Sequence, residues 1–247
     1  MNDATGLAAE FIRAFRSPPP ASPVTERSPR RPHPLGPAMQ FRPGDWKQAD
    51  LLTTLCARRS VRTFAPDPVP AGLVSRIIGR GFEDDCGTWP DEQTHTSLQA
   101  DVVAMRVGGL PQGMFSFSSQ TFSYTPVAPL PDPETLYDMT IQREFCDSAV
   151  IISIAADLDG ALEAHGPHGY RLLLGRASAA AYSMWLEAVS HGLAGGVFAG
   201  LIQASIREPL CNDGASRHPI FALALGVPPY AGDEVDSAHT GESIQEK

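Results

Sequence analysis

Cys56-Ala57-Arg58-Arg59-Ser60-Val61-Arg62-Thr63-Phe64 sets three guanidinium groups and a hydroxyl into one short stretch of an otherwise acidic chain. Guanidinium forks make bidentate, charge-assisted bonds to phosphate oxygens, and a serine hydroxyl adds another donor. One reading is therefore a phosphate-holding cluster. The other is a helix C-terminus whose arginines complement the macrodipole and face water. The stretch closes an amphipathic run and leads into Pro66, Pro68 and Pro70, a rigid turn.

Working outward, the 247 residues allow one large domain or two small ones, and 43% apolar content can fill a core. A formal charge of −9 argues against a general nucleic-acid binder, which needs broad positive charge. No apolar run approaches the roughly 20 residues of a membrane span. The first residues lack a basic region followed by a long apolar core, so no secretory signal is expected. Cys56, Cys86, Cys146 and Cys211 are dispersed, with no C-x-x-C pair. That spacing suits reduced thiols in a cytoplasmic protein and gives neither a metal site nor a disulfide framework.

Residues 1–45 hold nine of the 23 prolines and six arginines. They read as an arm, partly disordered, with a short helix over Ala4 to Phe15 and an extended tether from Ser17 to Pro37. The folded domain is expected over 46–230, and 231–247 is a polar tail. Within the domain, Gln48 to Arg59 and Gly72 to Gly81 read as helices, and Gln99 to Val107 as a strand. Met114 to Phe117 and Gln120 to Tyr124 would pair as a hairpin across Ser118-Ser119. Glu134 to Phe145 reads as helix, and Ala149 to Ala155 as a buried central strand. From about Gly169 to His191, Leu173, Ala177, Ala180, Ala181, Met184, Trp185 and Ala188 recur at helical spacing. Gly192 stands where a left-handed cap belongs, and the many small residues suit close packing at a domain centre or a dimer contact. A last strand runs from Pro219 to Gly226. The pattern is α+β, without a regular βαβ repeat.

Several segments, in order, resemble the flavin-dependent nitroreductase superfamily. Arg58 to Phe64 resembles its arginine–serine signature. Val107-Gly108-Gly109-Leu110-Pro111-Gln112-Gly113-Met114-Phe115 is similar to a turn of the SagB-type, McbC-like branch, which oxidises azoline rings in peptide natural products. Gln142, Gly169-Tyr170-Arg171, Leu186-Glu187-Ala188 and Gly192-Leu193 resemble further marks of that branch. The resemblance covers about residues 48–228. It implies a nitroreductase-like sandwich: a mostly antiparallel central sheet flanked by helices, the long helix at a dimer interface, and FMN bound between subunits. By position, Arg58, Arg59 and Ser60 would hold the FMN phosphate and ribityl oxygens. Arg62 would lie near the flavin pyrimidine edge. Gly195, Gly196 and Val197 would form a loop packed on the ring, where glycines let backbone approach a flat surface.

Two stretches depart from that pattern. The branch carries a Lys-Tyr pair before its G-Y-R, where this chain has Ala164 and His165. An imidazole can take up a proton near neutral pH, so His165 is a candidate base, and Tyr170 is a second, with His168 beside them. The branch's P-S-x-G-x-x-x-P segment is replaced by Gly87 to Ser97, and its E-A-G-H by Arg176-Ala177-Ser178-Ala179. The expected activity is FMN-dependent dehydrogenation of a thiazoline or oxazoline to an azole in peptide natural-product biosynthesis. The alternatives are a degenerate subunit that partners an active paralogue or docks a precursor peptide, and an NAD(P)H-dependent nitro or enone reductase. Expected partners are a second copy or a paralogous flavoprotein and a peptide-derived substrate, with no nucleic acid and no membrane.

Overall fold

A computed structural model describes residues 31–229 apart from His95, together with Gly6, Glu10 and Arg13. The helix read over Ala4 to Phe15, most of the tether, and the tail from 231 lie outside the described residues.

Valine, isoleucine and alanine runs dominate the middle of the chain and form a seven-stranded sheet. Its strands are β1 (Met39–Gln40), β3 (Gln99–Ala104), β5 (Gly113–Ser118), β6 (Ser123–Ala128), β7 (Val150–Ala156), β8 (Ala194–Phe198) and β9 (His218–Gly226). The order is β1-β6-β5-β3-β7-β9-β8, and every pairing in it is antiparallel. β7 is buried at all seven positions, as its unbroken apolar run requires of a strand covered on both faces. A small parallel pair joins β2 (Val69–Pro70) to β4 (Val107–Gly108). The first strand of the sheet, Met39–Gln40, lies within the proline-rich stretch and pairs with Tyr124 and Ser123.

Two long helices cover one face: α2 (Ala71–Thr88) and α5 (His168–Ser190). Between α2 and α5 the backbones come close because position 81 is glycine. A Cβ there would sit 2.5 Å from Met184 Cγ and 2.7 Å from the Ala180 carbonyl oxygen. A second apolar cluster, with Val103, Met114, Met139, Phe145, Ile151 and Phe198, fills the opposite face. The remaining helices are short: α1 (Leu51–Ala57), α3 (Pro133–Tyr137), α4 (Leu158–His165) and α6 (Gln203–Ile206).

Several boundaries differ from the sequence expectation for identifiable reasons. Asp50 starts α1 late by accepting from Thr53 N at 3.1 Å, and Arg58 leaves helical geometry at ψ 118°. The helix expected over Glu134 to Phe145 breaks into α3 and a 3-10 turn at Arg143–Asp147. Between them Thr140 pairs with Leu201, and Ile141 N donates to Gly200 O at 2.9 Å. The hairpin turn covers residues 119–122 rather than Ser118-Ser119, with Phe122 at φ 50°. α2 runs seven residues past Gly81, to Thr88. Gly192 takes φ 80° after α5.

Candidate functional site

The arginine-serine stretch leaves α1 and docks on the sheet's edge strand. Ser60 forms a parallel bridge with Gly195, and Val61 N donates to Gly195 O at 3.0 Å. Gly195, Gly196 and Val197 are therefore part of strand β8, not the loop expected from the sequence. Gly195 has to be glycine here: at φ 154°, a Cβ would lie 1.9 Å from the Ala224 carbonyl oxygen. On Gly196 a Cβ would face Ser60, 3.8 Å from its Cβ. The two glycines thus let the serine segment and β9 close on β8 from both sides.

Each arginine is placed differently. Arg58 is half-buried, its guanidinium 4.6 Å from the ring centroid of Trp185 on α5. Such a cation–π contact is worth about 1 kcal/mol at a partly exposed site. Arg59 is exposed and donates to the Cys56 and Arg58 carbonyls at 2.9 and 3.2 Å, completing the end of α1. Arg62 donates to Glu144 Oε1 at 3.3 Å and lies 5.9 Å from the Phe145 ring, which stacks on Phe198 at 4.4 Å. An open groove of about 410 Å3 begins at Arg62 and is bounded by Phe64, Arg106, Glu144 and Asp147. Arg106 is held by backbone, donating to Asp147 O at 2.6 Å, and its Nε has no partner.

His165 and Tyr170 are not in this cluster. His165 ends α4, beyond the far end of β7, and its Nε2 is 2.9 Å from Glu92 Oε2. Tyr170 lies in the first turn of α5, 15 residues before Trp185. At 1.5 Å per residue that separates them by about 22 Å along the helix. Within one chain, neither expected base reaches the arginines.

The residues that fix the cluster were only partly visible in the sequence. Glu187, in the last turn of α5, accepts on Oε1 from Gln48 Nε2 at 2.8 Å and from Arg76 Nε at 2.6 Å. His191 Nε2 is 3.1 Å from the same oxygen. Burial raises the Glu187 carboxyl, but the bonds from Arg76 and His191 outweigh it and hold it below the usual glutamate range. Trp185 and Glu187 share the helical spacing of α5, yet nothing local marks Gln48 or Arg76 as their partners. A cavity of about 630 Å3 opens at the other end of the sheet beside Gln99, Ser116 and Asp85. Its buried guanidinium, Arg217, is already committed to Gln99 and Asp101. Arg31 also lines this cavity.

The nitroreductase family model matches residues 55–227. No curated protein matches the sequence. Among the solved structures that share the fold are the following three. A nitroreductase-type protein of Anabaena variabilis is 18% identical, with a TM-score of 0.65 over 78% of this chain and 42% of its own. This chain therefore spans less than half the length of that protein. One from Ralstonia eutropha is 20% identical, with a TM-score of 0.61 over 86% of this chain and 100% of its own. A chain of the Escherichia coli microcin synthetase McbBCD complex, solved with truncated pro-MccB17 bound, is 15% identical, with a TM-score of 0.54 over 77% of this chain and 78% of its own. At these identities the likeness is one of fold. Among the described residues no helix is long and apolar enough to cross a membrane, and no group of acidic, histidine or cysteine side chains could hold a metal ion.

Proposed function

The chain belongs to the nitroreductase family, and from that premise we propose that it is an FMN-dependent oxidoreductase that dehydrogenates an azoline in a peptide-derived substrate. The observation that carries the FMN reading is the seating of Ser60 on Gly195. It sets an exposed hydroxyl beside a strand whose glycines leave flat backbone, with Arg58 and Arg59 immediately before it in the chain. That donor set fits a phosphoryl group. Arg58, Arg59 and Ser60 would hold the phosphate, Arg62 would meet the pyrimidine edge, and Gly195, Gly196 and Val197 would back the ring. Bound FMN would supply the hydride acceptor, so that an azoline giving up one proton and one hydride becomes an azole.

The azoline assignment draws on the Val107 to Phe115 turn and on Gly169-Tyr170-Arg171. The peptide held by the Escherichia coli complex suggests the same substrate class. The proton would go to His165 or Tyr170. Because both stand at the far end of α5, that role requires them to come from a second copy of the chain. Such a copy has a surface to meet: Leu51, Leu52 and Leu55 of α1 are 66%, 70% and 41% exposed, and Tyr182 of α5 is exposed beside Trp185.

The test is the absorbance spectrum and the FMN dissociation constant of the purified chain. We expect a flavin spectrum, and at least tenfold weaker FMN binding in Arg58→Ala and Ser60→Ala. A protein that stays colourless with excess FMN, or binds equally well without Arg58, contradicts the reading. A second reading, a non-catalytic subunit paired with an active flavoprotein, is favoured by the distance of His165 and Tyr170 from the arginines. Inactivity alone, with activity on mixing with the paralogue, would support it.

A further inference from the structure

Residues 44–50 lead the chain onto α1, and α1 delivers Arg58, Arg59 and Ser60 to β8. This strap is exposed along its length, so a few bonds to the end of α5 hold it. Ala49 N donates to Ser190 O at 2.9 Å, and Gln48 Nε2 to Glu187 Oε1 at 2.8 Å. The third tie is His191, whose side chain is 2% exposed. Its Nδ1 lies 3.1 Å from the Lys47 carbonyl oxygen and its Nε2 3.1 Å from Glu187 Oε1. A carbonyl and a carboxylate can only accept. Both ring nitrogens must then carry hydrogen, which is the imidazolium form. A neutral ring keeps one of the two bonds and loses the other.

We propose that His191, as an imidazolium, and Glu187 are positioning residues: they clamp the strap to α5 and so set where Arg58 to Ser60 stand against β8. The inference rests on the reading of that stretch as the FMN phosphate site. The charged neighbours are few. Glu187 faces the ring from α5, and Arg76 of α2 shares the same carboxylate oxygen at 2.6 Å. On the strap, Lys47 is exposed and presents only its carbonyl to the ring. Asp50 is committed to Thr53. Loss of the ring proton as pH rises therefore removes one tie, and the clamp loosens, since Lys47, the strap's cation, meets the ring through its carbonyl oxygen.

The experiment follows hydrogen exchange of residues 45–57 in the full chain without FMN, at pH 6 and pH 8, corrected for intrinsic rates. Wild type and His191→Gln are compared. Protection in wild type should fall about tenfold between the two pH values, the effect of one hydrogen bond to a charged group. The glutamine variant should show an intermediate protection that does not change with pH. FMN dissociation constants measured in parallel should follow the same contrast, since ionisation of the ligand phosphate is common to both proteins. Equal pH dependence in the two proteins overturns the proposal. Exchange that behaves as expected, in a protein that binds no FMN, keeps the clamp and removes the phosphate reading. If the variant does not fold, nitrogen NMR of the wild-type ring decides. A doubly protonated His191 at pH 6 supports the clamp, and a neutral ring overturns it.

Discussion

Arg176→Met is expected to be among the most damaging substitutions outside the aliphatic core. Arg176 projects from the middle of α5 with no exposed surface, and Asp85 of α2 is 2% exposed. Nε and Nη2 donate to the two Asp85 oxygens at 2.9 and 2.7 Å. Nη1 donates to the Thr96 carbonyl at 2.9 Å and to its hydroxyl at 2.7 Å. Methionine keeps most of the apolar stem, so what disappears is the charge and its four bonds. Asp85 is then left buried with the Gln93 amide, at 2.9 Å, as its side-chain donor. Removing one member of a buried pair costs roughly 3–5 kcal/mol, mainly because the other ion stays uncompensated. For a domain of this size 1 kcal/mol shifts the melting temperature by about 2–4 °C, so a fall of roughly 6–20 °C is expected. Asp85→Leu alone should cost about as much, and the double variant much less, because a well-packed apolar pair often replaces a buried ion pair at little cost. Urea unfolding at pH 7 on the four proteins of that cycle gives the coupling energy, expected at about 2 kcal/mol or more. Single variants within about 1 kcal/mol of wild type, or strictly additive ones, would refute the argument that this pair locks α2 to α5.

Gly195→Ala must part β8 from β9, since its Cβ meets the Ala224 carbonyl oxygen at 1.9 Å. A loss of about 3 kcal/mol or more is expected by chemical denaturation, and a near-wild-type midpoint would mean the register at Gly195 is wrong. Glu187 binds its proton less readily folded than unfolded, because the bonds from Arg76 and His191 outweigh burial. Its stabilising share is therefore complete above the usual value of about 4.5 and fades as pH falls through that value and below. Glu187→Gln should be less stable than wild type at pH 7, with a gap that narrows between pH 5 and pH 3; a gap that widens on acidification contradicts this sign. Leu51→Lys with Leu55→Lys should halve the mass measured by light scattering while leaving the circular dichroism unchanged. A variant that keeps the wild-type mass would show that the apolar face of α1 is not a subunit contact.

The architecture was legible where the side-chain pattern alone dictates burial. Ala149 to Ala155 has no polar face to offer water except Ser153, so it had to be a central strand, and it is. The small-residue periodicity after Gly169 fixed α5 to within a residue at each end. The failures have a common cause: contacts with distant residues overrode local pattern. Glu134 to Phe145 has helical composition, but its middle is drawn into pairing with Gly200 and Leu201. Gly195-Gly196 looks like a turn because glycine is rare in strands, yet the pair lies in one because two backbones approach it. At the site, the types Arg58, Arg59 and Ser60 could be read from the chain. That Trp185 would carry Arg58, or that Gln48 and Arg76 would converge on Glu187, depends on packing across more than a hundred residues.

The two stretches that depart from the SagB-type pattern turn out to be parts of one assembly. Arg176 stands in the helix segment that lacks E-A-G-H. It binds Thr96, which lies in the replaced interval 87–97, and Asp85 just before that interval. Thr96 Oγ1 also lies 3.3 Å from Glu92 Oε2, which in turn meets His165 Nε2 at 2.9 Å. A continuous polar path therefore runs from α2 through the interval to the end of α4. An arginine at 176 without Asp85 and Thr96 would be an unpaired ion in the middle of a helix layer, a cost no single substitution could absorb. The changes thus make sense only together: Arg176 needs Asp85 and Thr96, and the interval that carries Thr96 also lines the cavity beside Asp85. His165 belongs to that path by its bond to Glu92. With Nε2 turned to Glu92, the ring nitrogen left to take a proton is Nδ1, and the carboxylate can stay bound while it does so.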